Sequence, residues 1–476
     1  MDGWFGITAR GSTVAAEVRG GVTTFFTMAY IVVLNPIVLT AGRDVHGARL
    51  PLAAVATSTA LVAAAMTILM GAVGRYPFAL AAGLGLNGVV AFSLAPRMSW
   101  PAAMGVVVLE GLVITALVVT GFREAVFEAV PLALKQAIGV GIGLFIAFIG
   151  FVDAGFVRRN PDAAGTPVPV SLGPAGRLVG WPTVVFVVGL LITAALVGQK
   201  RRGAILVGIL AATAFAIALN ALAHVPPSVG ANGAVDPRGW SLNVPKLPHH
   251  LVASPDFGLV GHFSLGGAAA AVGVVETGLL VFTLMLADFF DTLGSVVAVG
   301  SEGGLLDPDG RLPGAGPVLL IDSLAAAAGG AASCSSNTTY IESAAGVADG
   351  ARTGLASLVT GALFVGALFL TPLAAVVPHE AATPALVVVG YLLMTQVRDI
   401  PWQDFDVALP AFLTIVLMPF TFSITNGIGA GFVSFVALKL FRGRIRDVHW
   451  LMVAVALAFV AYFAIDPLEH LLGVGG

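Results

Sequence analysis

Two carboxylates three residues apart, Asp288 and Asp291, sit inside "LMLADFFDTLGSVVAVG", a stretch otherwise apolar enough for lipid. At i and i+3 they share one helix face. An ionised acid at mid-bilayer costs roughly 3 kcal/mol on insertion scales. Apart from residues near the interface, no Lys or Arg lies in a mid-membrane segment to pair with them. Two acids on one face repel, so one of them is a natural proton holder. Such groups take up a proton, donate a hydrogen bond or meet a cation.

Other polar groups recur at similar depth. Glu342 sits in "SSNTTYIESAAG", where Ser335, Ser336, Asn337, Thr338, Thr339 and Tyr340 precede it. A carboxylate there can accept two N–H groups from a planar, amide-like ligand. Asn87, in "AAGLGLNG", offers donor and acceptor beside glycines that let backbone approach a ligand. Phe289 and Phe290 offer ring faces for stacking. Glu110 and Asp322 are further intramembrane acids, for packing or for a proton path. Asn35–Pro36 is expected to break the first helix near the site. The histidines lack metal-ligand spacing, a lone Cys334 builds neither disulfide nor cage, and no phosphate loop or Ser/His/Asp constellation appears. No metal and no cofactor are expected, only a proton as coupling ion.

These residues need a membrane-spanning frame. The 476-residue chain is 58% hydrophobic and 10% charged, with a net charge of −3. A soluble domain is about a quarter charged. The composition implies a polytopic membrane protein embedded in a lipid bilayer, and gives no sign of a nucleic-acid partner. The N-terminus carries no short apolar region with a small-residue cleavage site, so no cleaved signal is expected. At about 20 residues per span, the chain reads as all-α with about fourteen transmembrane segments. Helix 1 is expected at 22–40, a short glycine-broken helix 3 at 79–94, helix 8 at 272–299 and a short helix 10 at 339–347. A trailing apolar segment, 450–465, either spans or lies along the interface. With the N-terminus cytoplasmic, Lys200, Arg201, Arg202, Lys439, Arg442, Arg444 and Arg446 fall inside, as the positive-inside rule requires.

The halves echo one another. "TTFFTMAYIVVLNP" aligns with "LLVFTLMLADFFDT", placing Asn35 opposite Asp291, and "GLGLNGVVAF" aligns with "TTYIESAAGV", placing Asn87 opposite Glu342. Seven segments per copy, an odd number, make the second copy inverted. Paired short, Gly-rich segments in corresponding halves mark a transporter's binding site.

Long motifs carry a family resemblance as well: "GSTVAAEVRGGVTTFFTMAYIVVLNP", "AAGLGLNGVVAF", "ADFFDTLGSVVAVG", "SSNTTYIESAAGVADGARTGLASLVTG" and "PAFLTIVLMPFTFSITNGIGAGF". From about Gly11 to Leu440 the chain resembles the AzgA-like adenine/guanine/hypoxanthine permeases of the nucleobase/ascorbate (xanthine/uracil) transporter superfamily. The resemblance implies a seven-plus-seven inverted repeat with discontinuous helices 3 and 10 carrying brief strands. It implies a core domain (21–121 and 272–378) and a gate domain (129–223 and 383–441). Around these lie a cytoplasmic segment (1–20), an extracytoplasmic loop (224–271) and a basic segment with an extra apolar helix (442–476). It further implies a plasma-membrane symporter importing a purine nucleobase with a proton, and it suggests a homodimer. Asp288, Glu342, Asn87, Thr339 and Phe289 would hold the substrate. Asp291 and Asp288 would couple the proton, supported by Asn35, Asp322 and Asn337. The rival readings are a xanthine/uracil permease or another inverted-repeat carrier, a passive channel and an intramembrane enzyme.

Overall fold

Runs of Ala, Val, Leu and Gly long enough to satisfy their own backbone in lipid make helices, and helices dominate the computed structural model. It describes residues 2–120, 129–159, 170–229, 236–241, 243–247, 250–307 and 312–464. Expectations on 465–476, and on the side chain of Phe290, lie outside the described residues. Among the described residues, ten helices are long and apolar enough to cross a membrane, and three more apolar helices are shorter.

In chain order, the first half contains α1 (Asp2–Phe5), α2 (Val14–Met28), α3 (Ile31–Ala41), α4 (Leu52–Leu69), β1 (Leu80–Ala82), α5 (Leu84–Val89), α6 (Trp100–Thr120), α7 (Leu132–Asp153), β2 (Val157–Arg159), β3 (Val170–Leu172), α8 (Trp181–Gly198) and α9 (Ala204–Ala223). The second half contains α10 (Gly267–Val272), α11 (Val274–Glu302), α12 (Ala315–Ala331), β4 (Asn337–Thr339), α13 (Ser343–Ala348), α14 (Gly354–Ala367), α15 (Thr371–Val376), α16 (His379–Met394), α17 (Phe405–Phe420), α18 (Ile424–Phe441) and α19 (Trp450–Phe463).

The helices sort into two sets. α2, α3, α4, α6, α12, α13 and α14 pack chiefly against one another, and α7, α8, α9, α16, α17 and α18 do the same. Small residues set the spacing. A Cβ at Gly143 of α7 would lie 2.7 Å from the Gly390 carbonyl of α16, so these two helices touch backbone to backbone. A Cβ at Gly20 of α2 would meet the Gly346 carbonyl of α13 at 2.7 Å. Glu17, fully buried, accepts the Arg352 and Thr353 amides at 2.8 and 3.2 Å. It thereby binds the start of α2 to the start of α14, where a negative charge suits the helix dipole.

At the centre of the first set, β1 and β4 pair antiparallel, with Leu80 opposite Thr339 and Ala82 opposite Asn337. Both strands are fully buried, so every backbone group needs a partner. The Gly83 amide donates to the Ser336 carbonyl and the Tyr340 amide to the Ala79 carbonyl, both at 2.9 Å. On the outer side of β1, the Thr67 hydroxyl accepts from the Leu80 amide and donates to the Leu80 carbonyl. Helix 3 is therefore a strand followed by six α-helical residues that run on into a π turn at Val90–Leu94, and helix 10 is a strand followed by a six-residue helix, the brief strands being those the family resemblance implied.

One expectation needs correcting. The first span is broken at Ala29–Tyr30, between α2 and α3, and not at Asn35–Pro36. Pro36 lies inside α3. The carbonyl four residues back, where a proline ring clashes, is that of Val32, itself inside α3, so the proline is accommodated within the helix and is not what breaks the span. The long loop before α10 is held against α16: Ser241 gives both its amide and its hydroxyl to Glu380 Oε1, at 2.9 and 2.8 Å. The trailing helix α19 packs on α18.

Candidate functional site

The break in the first span exposes a residue the sequence did not single out. Tyr30, fully buried, donates its hydroxyl to Glu342 Oε1 at 2.5 Å. The carboxylate just ahead of α13 is thus held from the first helix, 312 residues away in sequence. The Thr27 hydroxyl reaches the Glu342 carbonyl from the same side, at 3.4 Å.

Asn35 and Asn87, the repeat counterparts of Asp291 and Glu342 in the sequence alignment, bind each other. Asn87 Nδ2 donates to Asn35 Oδ1 at 3.0 Å, and Asn35 Nδ2 donates to Thr59 Oγ1 at 2.8 Å and to the Cys334 carbonyl at 3.1 Å. Both are completely buried. Asn87, expected to touch substrate, therefore commits its amide nitrogen to tying α5 to α3. Its Oδ1 is buried and has no hydrogen-bond partner among the described residues.

Thr339 is likewise turned inward. Its amide and hydroxyl both donate to Asp322 Oδ1, at 2.9 and 2.8 Å, and the Thr292 hydroxyl donates to Asp322 Oδ2 at 2.5 Å. Asp322 is thus the acceptor that fixes β4 against α11 and α12. Asn337 caps the turn before β4, giving Nδ2 to the Ser335 carbonyl at 3.1 Å. Glu110 meets the Ser336 hydroxyl at 3.4 Å, beside the same turn.

Where the two helix sets meet, a cavity of 140 Å³ opens, roughly five waters' worth of space. One wall is Gly85 and Leu86 of α5, Ala287, Asp291, Gly294 and Ser295 of α11, and Ile341. The facing wall is Lys135, Ile138, Gly139 and Ile142 of α7, with Leu393 and Gln396 from α16 and the turn after it. At Gly85 a Cβ would lie 2.7 Å from Ile142, so the sets approach to contact at its edge. At Gly294 a Cβ would meet nothing within 4 Å.

The two acids of α11 part company here. Asp291 lines the cavity and is exposed in it; Asp288 and Phe289 are buried and are not on its wall. Sharing a helix face was necessary but not sufficient, because what packs over each side chain decides which one opens to the space. Glu342 is half-buried and directly follows the lining residue Ile341. The wall combines flat aliphatic surface with one carboxylate, one hydroxyl, one amide and one ammonium. A mostly apolar lining with a few polar groups is that of a small-molecule site. Among the described residues no group of three His, Cys, Asp or Glu side chains could hold a metal ion.

A family model described as the permease family, the xanthine/uracil permeases, matches residues 15–430. This chain belongs to that family. The permease is 37% identical over 473 residues to the guanine/hypoxanthine permease PbuG of Bacillus subtilis, covering 97% of this chain and 99% of that one. It is 35% identical over 465 residues to the adenine permease AdeP of Escherichia coli, covering 96% and 94%. The transmembrane domain of the cyanobacterial bicarbonate transporter BicA matches its fold with a TM-score of 0.56 at 15% identity, over 88% of this chain and 97% of that one. That likeness is one of fold alone. The permease is a multi-pass membrane transport protein and not an enzyme.

Proposed function

We propose that this permease imports purine nucleobases (adenine, guanine and hypoxanthine) across the plasma membrane by proton symport with alternating access. The observation that carries the reading is the cavity between the two helix sets, with the acid Asp291 on one wall and none on the other. Two relatives whose full length the chain nearly covers bear the names of guanine/hypoxanthine and adenine permeases.

In this reading the halves form a seven-plus-seven inverted repeat. Residues 21–121 and 272–378 are a core that moves against a gate formed by 129–223 and 383–441, and the N-terminus is cytoplasmic. Asp291 takes the proton, with Asp288 behind it. Glu342, positioned by Tyr30, joins the purine's N–H groups as the walls close, and Asn87 offers its unpartnered oxygen. Asp288 and Glu342 adjoin the lining residues Ala287 and Ile341 in sequence, and the reading requires the core to move so that their side chains reach the ligand. No cofactor beyond the proton is needed. Assembly as a homodimer belongs to the same proposal. The energy logic is that proton and base each favour the loaded state, since a ligand shifts an equilibrium only by its differential affinity.

The test is uptake of labelled adenine, guanine, hypoxanthine, xanthine and uracil into proteoliposomes, with and without an imposed pH gradient. Purine uptake that rises when the outside is acidified is expected. Uptake confined to uracil or xanthine would overturn the substrate assignment, and uptake indifferent to the gradient would overturn proton coupling.

A further inference from the structure

Lys135 occupies the first turn of α7, beside Gln136 in a helix that is apolar from there to Asp153, and a cation in that turn opposes the helix dipole. Half-buried, Lys135 is part of the cavity wall on α7, and Asp291 is part of the wall on α11. Lys135 shares its helix face with Ile138, Gly139 and Ile142, as the i+3, i+4 and i+7 spacing requires. Gly139 leaves room beside it for a second polar group: a Cβ there would lie 3.4 Å from Gln396 Oε1.

We infer that Lys135 and Gln396 read the six-position edge of the purine, and that Lys135 makes the site favour 6-oxopurines over 6-aminopurines. The inference rests on the purine reading above. A 6-oxopurine shows two adjacent acceptors along that edge, O6 and N7, whereas adenine shows N7 beside an amino donor. An ammonium only donates, so it satisfies the first edge and opposes the second. An amide both donates and accepts, so Gln396 tolerates either. The ring's own N–H groups are left for the carboxylate wall. A good pairing of this kind discriminates by about 5- to 150-fold.

The test is competition of labelled uptake by unlabelled hypoxanthine and adenine, in proteoliposomes holding the unmodified permease, Lys135→Met or Lys135→Gln. The unmodified protein is expected to bind hypoxanthine the more tightly. Lys135→Met should weaken hypoxanthine at least about tenfold while leaving adenine unchanged or tighter, and Lys135→Gln, now carrying a second amide, should move the ratio toward adenine. Should Lys135→Met fail to reach the membrane, Lys135→Gln carries the comparison. Equal weakening of both bases, the result for a lysine that merely anchors the helix end, would overturn the inference, as would an unchanged ratio or a native preference for adenine. In those outcomes purine uptake by the unmodified protein survives. Loss of the function reading would show instead as no purine uptake by the unmodified protein, and would remove this inference with it.

Discussion

The Tyr30 hydroxyl donates to Glu342 Oε1 at 2.5 Å, joining the break in the first span to the start of α13. Hydrogen bonds to a charged partner contribute about 1.5–3 kcal/mol. Tyr30→Phe removes this one without changing the ring, leaving Glu342 free to turn. An increase in the half-saturation concentration for purine uptake of about ten- to a hundredfold is expected, with normal protein in the membrane. Unchanged saturation would mean that Glu342 needs no such support.

Asn35 holds three elements at once: α4 through Thr59, the turn before β4 through Cys334, and α5 through Asn87. Interhelical hydrogen bonds in membranes contribute about 1–2 kcal/mol each. Asn35→Leu should therefore lower the midpoint of thermal unfolding in detergent by several degrees, more than Thr59→Ala, which removes only one of the bonds. Equal midpoints for the two variants would show that the asparagine pair contributes little.

Asp291 is the acid that opens to the cavity. If it carries the coupled proton, Asp291→Asn should retain purine binding and exchange but lose the response to a pH gradient. The sign is fixed by symport: in the unmodified protein an acidic exterior accelerates uptake, and in the variant the rate should be the same at every external pH. A variant that still accumulates purine against its gradient when acidified outside would shift the coupling role to Asp288 or elsewhere.

α7 and α16 touch where Gly143 faces Gly390. Gly390→Val would push a branched side chain against the Gly143 carbonyl. Overpacking of this sort costs about 1–3 kcal/mol, so reduced thermal stability and a slowed transport cycle are expected, with purine affinity affected less. Wild-type stability would show that the helices can separate there without penalty.

The chain's own residues determined a good deal of this protein. Long apolar runs dictate spanning helices, because unpaired backbone is intolerable in lipid. The glycines and hydroxyls of "AAGLGLNG" and "SSNTTYIES" marked the two short, broken helices, and the family resemblance supplied their brief strands. The acids of "ADFFDT" were conspicuous simply because charge is costly there. Only the tertiary structure decided which neighbours those residues meet. Asp288 and Asp291 are equivalent by spacing, yet one is covered and the other opens to the cavity. The amide nitrogen of Asn87 goes to Asn35, 52 residues earlier, a partner that nothing in its local sequence announces. Tyr30, Lys135 and Gln396 gave no signal strong enough to be singled out, since a lone tyrosine, a lysine near a helix end and a glutamine beyond one are all ordinary. The physical reason is range. Periodicity and propensity act over a few residues and are written locally, whereas the partner of a buried polar group is chosen by helix packing between segments hundreds of residues apart.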